Sequence, residues 1–203
     1  MCFSKRLFDV ILALFAGILL LIPSLLIAAW ILIRSGRPIF YVAERMKTPD
    51  QPFMLWKFRT MTVSDADSGV SGGDKTSRIT PEGRILRRYR LDEIPQIWNI
   101  LKGDMSIVGP RPPLRQYTDS FPELYAEVLQ CRPGLTGLAT LHFHHHEAWL
   151  LTRCKSRAET NHVYATRCVP RKARLDLIYR DKRSLCYDIA ILSETIRQVL
   201  WRK

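Results

Sequence analysis

One apolar run, Leu7 to Ile33, constrains this chain more than any other feature: a single charge, Asp9, lies near its start and Pro23-Ser24 in its middle. About 25 such residues suffice to cross a bilayer as one helix. The run is too long for the core of a cleavable leader, and Ser35-Gly36-Arg37 is a poor cleavage context. Lys5 and Arg6 precede it, and Arg34 and Arg37 follow it. Basic flanks favour the cytosolic side, so both ends are expected on one face of the membrane. Pro23 removes a backbone hydrogen bond, and Ser24 offers a hydroxyl to the groups so freed. From these residues a kinked spanning helix and a helix–break–helix entering and leaving on one side both remain open. Only the second satisfies both flanks.

The chain's 203 residues allow one domain with a modest core in addition to this run, and its formal net charge of +12 implies an anionic partner. The five cysteines, Cys2, Cys131, Cys154, Cys168 and Cys186, are odd in number and form no CxxC pair. That pattern argues against a disulfide framework or a structural zinc site, and for a reducing compartment.

After the apolar run, Arg37–Val42 and Phe53–Met61 read as two short strands of a hairpin, joined by Thr48-Pro-Asp-Gln-Pro52. The alternation in Trp56-Lys57-Phe58-Arg59 fits a half-buried strand that presents Lys57 and Arg59 on a polar face. Ser64 to Ser77 has no hydrophobic period and reads as a surface loop. Thr80-Pro81-Glu82 starts a helix: Thr caps, Pro takes the first turn and Glu meets the helix dipole. Arg84, Arg87 and Arg88 then fall on neighbouring faces.

The next stretch carries the chemistry. Asp92 and Glu93 stand just before Pro95, which suits a first helical turn, and Gly103 marks the stop of a helix over Pro95–Lys102. The positive end of a helix favours ionised carboxylates and attracts phosphate. Arg87, Arg88, Arg90 and Arg111 flank the pair. Paired acids suit a divalent cation or a nucleophile, and guanidinium forks suit phosphate oxygens. A purely structural account makes the two acids a cap paired with nearby arginines.

Further on, Phe121–Leu129 reads as a helix, and Pro133-Gly134 as a turn that points Arg132 back towards the acids. In His142-Phe-His-His-His146 consecutive side chains point in different directions, which a fixed metal shell does not allow. Over Ser184–Lys203, Leu185, Ile189, Leu192, Ile196 and Leu200 form one stripe. It fits core packing or a membrane interface equally.

Lys57-Phe-Arg-Thr-Met61, Leu91-Asp-Glu-Ile-Pro-Gln96, Leu101-Lys-Gly-Asp-Met-Ser106, Gly109-Pro-Arg-Pro112 and Arg132-Pro-Gly-Leu-Thr-Gly-Leu138 together resemble the signature of the bacterial sugar transferases, the small monotopic phosphoglycosyl transferases. The likeness runs from Lys5 to about Thr140 and resumes from about Leu175. It implies a mostly helical α+β fold with an N-terminal re-entrant anchor over 1–36. A catalytic domain over 37–203 would hold a short β-hairpin and interfacial amphipathic helices around an active site at the cytosolic face, with 142–172 as a variable insertion. The implied reaction moves a sugar-1-phosphate from a UDP-sugar to polyprenol phosphate at the bacterial inner membrane and releases UMP. Asp92 matches the nucleophile and Glu93 its partner acid, the two holding Mg²⁺. Lys57, Arg59, Arg87, Arg88, Arg111 and Arg132 are the expected substrate-binding residues, and Pro23 and Ser24 the expected anchor break. Inner-membrane lipids are implied partners, and a homodimer is compatible with the resemblance. Nucleic acid is not expected, since phosphate backbones repel paired carboxylates. A membrane-anchored anion-binding protein and a hydrolase acting through activated water are the competing classes. A covalent sugar-phosphate adduct would exclude both.

Overall fold

A computed structural model describes residues 3–63, 70 and 72–201. Positions 64–69 and 71 of the loop read over Ser64–Ser77 lie outside the described residues, and its far end closes in a 3-10 turn, Gly73–Arg78.

Helices α1 (Phe3–Leu19) and α2 (Leu21–Ser35) occupy the apolar run and are bent by 58° about Leu20. Among the described residues no single helix is long and apolar enough to cross a membrane, whereas this bent pair meets the test by length and composition. The break was expected at Pro23-Ser24 and falls about one turn earlier. Proline crowds the carbonyl four residues before it and cannot bond to it. That carbonyl is Leu19's, so the chain turns just after Leu19, and Pro23 sits in the first turn of α2, where no N–H is needed.

The two charges at the entry of α1 fasten it to the rest of the fold. Arg6 donates from Nη1 to the Ile100 carbonyl at 2.6 Å and from Nη2 to that of Leu101 at 2.8 Å. Asp9, fully buried, accepts from Ser106 Oγ at 2.8 Å, from the Ile107 amide at 3.1 Å and from Lys5 Nζ at 3.4 Å. Ala13 lies on the same inner face, while Ile11, Phe15 and Ile18 stay exposed on the outer one.

Strands β1 (Phe40–Met46) and β2 (Pro52–Phe58) form an antiparallel hairpin with Tyr41 opposite Lys57 and Arg45 opposite Phe53. The ladder lies later in β1 than expected and ends before Arg59. Its loop is closed by the Lys47 amide on the Gln51 carbonyl at 2.8 Å and the Gln51 amide on Thr48 Oγ1 at 3.1 Å. Pro52 is acceptable as the first residue of a strand, where its missing donor costs no ladder bond.

Next come α3 (Pro81–Arg88), α4 (Gln96–Lys102) and β3 (Ser106–Val108). After α5 (Arg115–Ser120) and α6 (Pro122–Val128), β4 (Gly134–Thr136) pairs in parallel with β3, Ser106 against Gly134 and Val108 against Thr136. The two backbones approach so closely that a Cβ on Gly134 would lie 2.2 Å from the Gly109 nitrogen. Glycine is required there by contact.

Four helices complete the chain: α7 (Leu138–Leu151), α8 (Arg157–Val163), α9 (Val169–Lys182) and α10 (Leu185–Leu200). A π-turn, Tyr164–Cys168, joins α8 to α9. Phe143, Leu150, Tyr164 and Cys168 pack with Met46, Tyr117 and Val128 in one core cluster. The segment 142–172 is therefore built into the core rather than hung on it. On α10, Ile191 and Asp188 face inward, whereas Ile189 and Ile196 of the expected stripe are 52% and 49% exposed. Among the two readings of that stripe, core packing is thus excluded for these two residues. The architecture is a mostly helical α+β fold with a short antiparallel hairpin.

Asp9→Ala would leave the Ile107 amide without its buried acceptor, and would leave Lys5 with Asp188 alone and the Ser106 hydroxyl with the Val108 carbonyl alone. Breaking a buried pair of this kind costs about 3–5 kcal/mol. The expected outcome is a marked fall in melting temperature of the purified protein, and an unchanged midpoint would remove Asp9 from the joint between α1 and β3.

Candidate active site

The two acids are presented by a reversal between α3 and α4. Thr80 Oγ1 caps α3 by accepting from the Gly83 amide at 3.0 Å, as expected from sequence. The helix ends at Arg88, and Arg90 then takes a left-handed conformation, φ +56°. Side chains other than glycine adopt that region at a cost of roughly 1–2 kcal/mol. The reversal leads into a 3-10 turn, Leu91–Glu93, which aims Asp92 and Glu93 inward. Pro95 then starts α4, and Gly103, φ +86°, stops it as expected.

Asp92 and Glu93 are each only 7% exposed. Glu93 Oε1 accepts from Lys57 Nζ and from Arg111 Nη2, both at 2.8 Å, and Arg90 Nη1 lies 3.8 Å from Oε2. Asp92 is treated differently. Its nearest cation is Lys57, at 3.8 Å from Oδ2, and among the described residues it accepts no hydrogen bond. Arg87 adds its field to Asp92 while donating from Nε to Thr60 Oγ1 at 2.8 Å.

The electrostatics separate the pair further. Burial pushes the Asp92 carboxyl above its ordinary range, and repulsion from Glu93 adds to this, against the pull of Lys57. Burial acts on Glu93 too, but Lys57, Arg111 and Arg90 together hold it well below the usual carboxylate range. Burial and the neighbouring Arg111 lower the Lys57 ammonium, with Glu93 opposing. The expected helix-end effect does not govern Asp92: it precedes α4 in its own turn, and desolvation dominates.

Of the residues expected at this site, Lys57, Arg87 and Arg111 converge on the acids. Three do not appear among their partners. Arg59 donates to the carbonyls of Ser35 at 2.7 Å, Gly36 at 2.9 Å and Arg37 at 3.1 Å, and so caps the end of α2. Arg88 is exposed, its guanidinium 5.7 Å from the Tyr89 ring centroid. Arg132 does not point back as expected; its electrostatic neighbours are Arg6, Asp9 and Asp104.

Asn99, missed from sequence, positions the site. Fully buried on α4, it accepts from the Trp56 amide at 3.1 Å and donates to the Met54 carbonyl at 2.8 Å. It thereby satisfies the free edge of β2 and sets Lys57 against the acids. Its signal was an amide set among the apolar residues Ile97, Trp98, Ile100 and Leu101. A second layer lies behind Arg111: Lys172 Nζ donates to Glu147 Oε2 at 2.8 Å and to the Tyr164 hydroxyl at 3.1 Å, and Glu147 and Tyr164 both stabilise the Arg111 charge.

A divalent cation fits this donor set. Among the described residues no cluster of three or more acidic, histidine or cysteine ligands occurs. Mg²⁺, however, commonly takes one or two carboxylates and completes its shell with water and substrate phosphates. Asp92, without a hydrogen-bond donor, offers such a carboxylate.

A family model described as bacterial sugar transferase matches residues 1–202. The sugar transferase EpsL of Bacillus subtilis (strain 168) is 34% identical over 97% of this chain and 87% of its own length. The UDP-N-acetylgalactosamine-undecaprenyl-phosphate N-acetylgalactosaminephosphotransferase of Aeromonas hydrophila is 31% identical over 98% of this chain, which spans 44% of that protein. The UDP-glucose:undecaprenyl-phosphate glucose-1-phosphate transferase of Escherichia coli (strain K12) is 33% identical over 95% of this chain, which spans 39% of that protein.

The geometry yields a titration test. Lys57 opposes the upward shift of Asp92. Lys57→Met should therefore raise the Asp92 midpoint, followed through the carboxyl carbon resonance of labelled protein. A midpoint that stays or falls would show that Lys57 does not govern Asp92.

Proposed function

The chain belongs to the bacterial sugar transferases, and from that premise we propose that it transfers a sugar-1-phosphate from a UDP-sugar to undecaprenyl phosphate, by way of a covalent intermediate on Asp92. The observation that carries this reading is the asymmetry of the acid pair. Glu93 is held by two hydrogen bonds of 2.8 Å, while Asp92 accepts none among the described residues. A nucleophile needs a free lone pair, and a partner acid that fixes the surrounding cations does not.

In the first step an Asp92 oxygen attacks the sugar-bearing phosphorus of the donor. The bond from that phosphorus to the bridging oxygen breaks, UMP leaves with the bond's electron pair, and an acyl phosphate remains. In the second step an oxygen of the polyprenol phosphate attacks the same phosphorus. Asp92 is released as carboxylate, and the product is a polyprenol diphosphate sugar. Lys57, Arg87 and Arg111 bind and orient the anionic groups, and their charges stabilise what develops on the phosphoryl oxygens. The Asp92–Glu93 pair would hold Mg²⁺, which supplies charge neutralisation at the diphosphate when bound.

The acceptor cannot leave the bilayer, so the nucleophile must work at its surface. In this reading 1–36 form a re-entrant anchor, 37–203 the catalytic domain, and the enzyme sits on the cytosolic face of the inner membrane. The 58° bend, the basic residues at both ends of the pair and the exposed apolar residues of α1, α2 and α10 support it.

Incubated with a sugar-labelled UDP-sugar and Mg²⁺ but no polyprenol phosphate, wild-type protein should gain a sugar-phosphate on Asp92 and release UMP. Peptide mass analysis after rapid quench places the added mass. Asp92→Asn should lose both adduct and turnover while keeping its fold, and Glu93→Gln should be severely impaired. Turnover without any trapped adduct would favour direct transfer in a ternary complex, and an adduct on Glu93 would exchange the two roles. Arg111→Lys keeps the charge but loses the fork, and should cost about 1–3 kcal/mol of transition-state stabilisation, read from kcat/KM.

A further inference from the structure

A cavity of about 330 Å³ lies between the start of α1, the end of β3 and the start of α10. Among the described residues, none that lines it is a hydrogen-bond or ion-pair partner of Asp92 or Glu93. Its cationic lining is Lys5, Arg132 and Arg183, with the Ser4 and Ser184 hydroxyls beside them. Arg132 Nη1 is buried without a hydrogen-bond partner, as is Oδ2 of Asp188, the acid of the lining. A guanidinium without a carboxylate partner needs a counter-charge to offset its burial.

The acids nearby do not fill this need. Asp188 Oδ2 lies 2.9 Å from Lys5 Nζ, and its Oδ1 accepts from the Tyr179 hydroxyl at 2.7 Å. Asp9 is taken up by Ser106, Ile107 and Lys5. Asp104 pairs with Lys102 at 3.8 Å. Among the described residues, Arg183 donates to the Cys131 sulfur, at 3.3 Å. Among the described residues neither Arg132 nor Arg183 has a carboxylate partner, which leaves two positive charges uncompensated around one cavity. On the apolar side, Leu185 of the lining is 36% exposed, and Phe3, next to Ser4, and Ile189, one turn on from Leu185, are 81% and 52% exposed.

We propose that this cavity binds the phosphate of a membrane lipid, at a site separate from the acid pair. Two guanidinium forks and two hydroxyls match a tetrahedral oxyanion better than a planar carboxylate. The volume admits a headgroup and excludes acyl chains, which would lie along the apolar side. A soluble phosphate ester offers the same oxyanion without the chains.

The test uses the full chain, purified in detergent and stripped of lipid. Native mass spectrometry then follows retention of added phosphatidylglycerol, of diacylglycerol with the same chains, and of sn-glycerol 3-phosphate. Wild type should retain phosphatidylglycerol and lose diacylglycerol. Arg132→Gln should weaken retention about tenfold or more, and Arg183→Glu should do the same. Arg153→Gln, in the exposed turn after α7, should change nothing. Arg183 is exposed, so its variant decides the matter if Arg132→Gln fails to fold. Equal retention of diacylglycerol, or wild-type retention in Arg183→Glu, overturns the proposal. Retention of glycerol 3-phosphate as strong as that of the lipid keeps the phosphate chemistry and overturns the lipid as its source.

Discussion

A single oxygen, Glu93 Oε1, receives hydrogen bonds from two distant parts of the chain, Lys57 on β2 and Arg111 beyond β3. An ionised carboxylate at this depth is unfavourable unless it is paired and its lone pairs are used. The hairpin, the reversal before α4 and the Pro110–Pro112 segment must therefore meet for any one of them to be accommodated. The residual positive charge that this meeting concentrates is what an anionic diphosphate requires. Removing one partner would leave the others buried without compensation, so the folding of the site and its chemistry share one electrostatic cause.

The same logic recurs where the apolar helices join the core. Arg6 flanks the apolar run and Asp9 is its single charge, and both are used on backbone groups of α4 and β3. The last turn of α4 is thus held by Arg6 from one side, while Asn99 in the same helix fixes the edge of β2. A short chain of polar contacts runs from the apolar helices through α4 to Lys57. In the reading that anchors the protein in a bilayer, this chain sets the height of the acid pair relative to the lipid surface.

Much of this was legible in the sequence where local chemistry decides. The Thr80 cap, the Gly103 stop and the hairpin follow from residue types with strong local preferences. The motif led to the expectation that Asp92, Glu93, Lys57 and Arg111 share one site, but not to the direct pairing of Lys57 and Arg111 with Glu93. What sequence did not reveal depended on tertiary choice. Arg59 and Arg132 carry the same guanidinium as Arg111, and nothing local says which of them finds a carbonyl cluster, a cavity or a carboxylate. The exposed side of α10 was equally hidden, because a stripe of apolar residues reads alike against a core and against a membrane. The bend at Leu20 differed from expectation because proline acts on the carbonyl four residues before it.

The π-turn at Tyr164–Cys168 has a consequence for the chain's tolerance of length changes. A π-turn holds one residue more than the α-helical turn it replaces. Helices α8 and α9 are therefore out of phase by about 100°, the rotation of one residue in a helix of 3.6 per turn. Deleting any one residue between 164 and 168 would let the two fuse into one regular helix and would swing Lys172 away from Glu147 and Tyr164. The surplus residue works as a phase shifter: the aromatic and the lysine behind Arg111 face each other only because the helical count is interrupted between them.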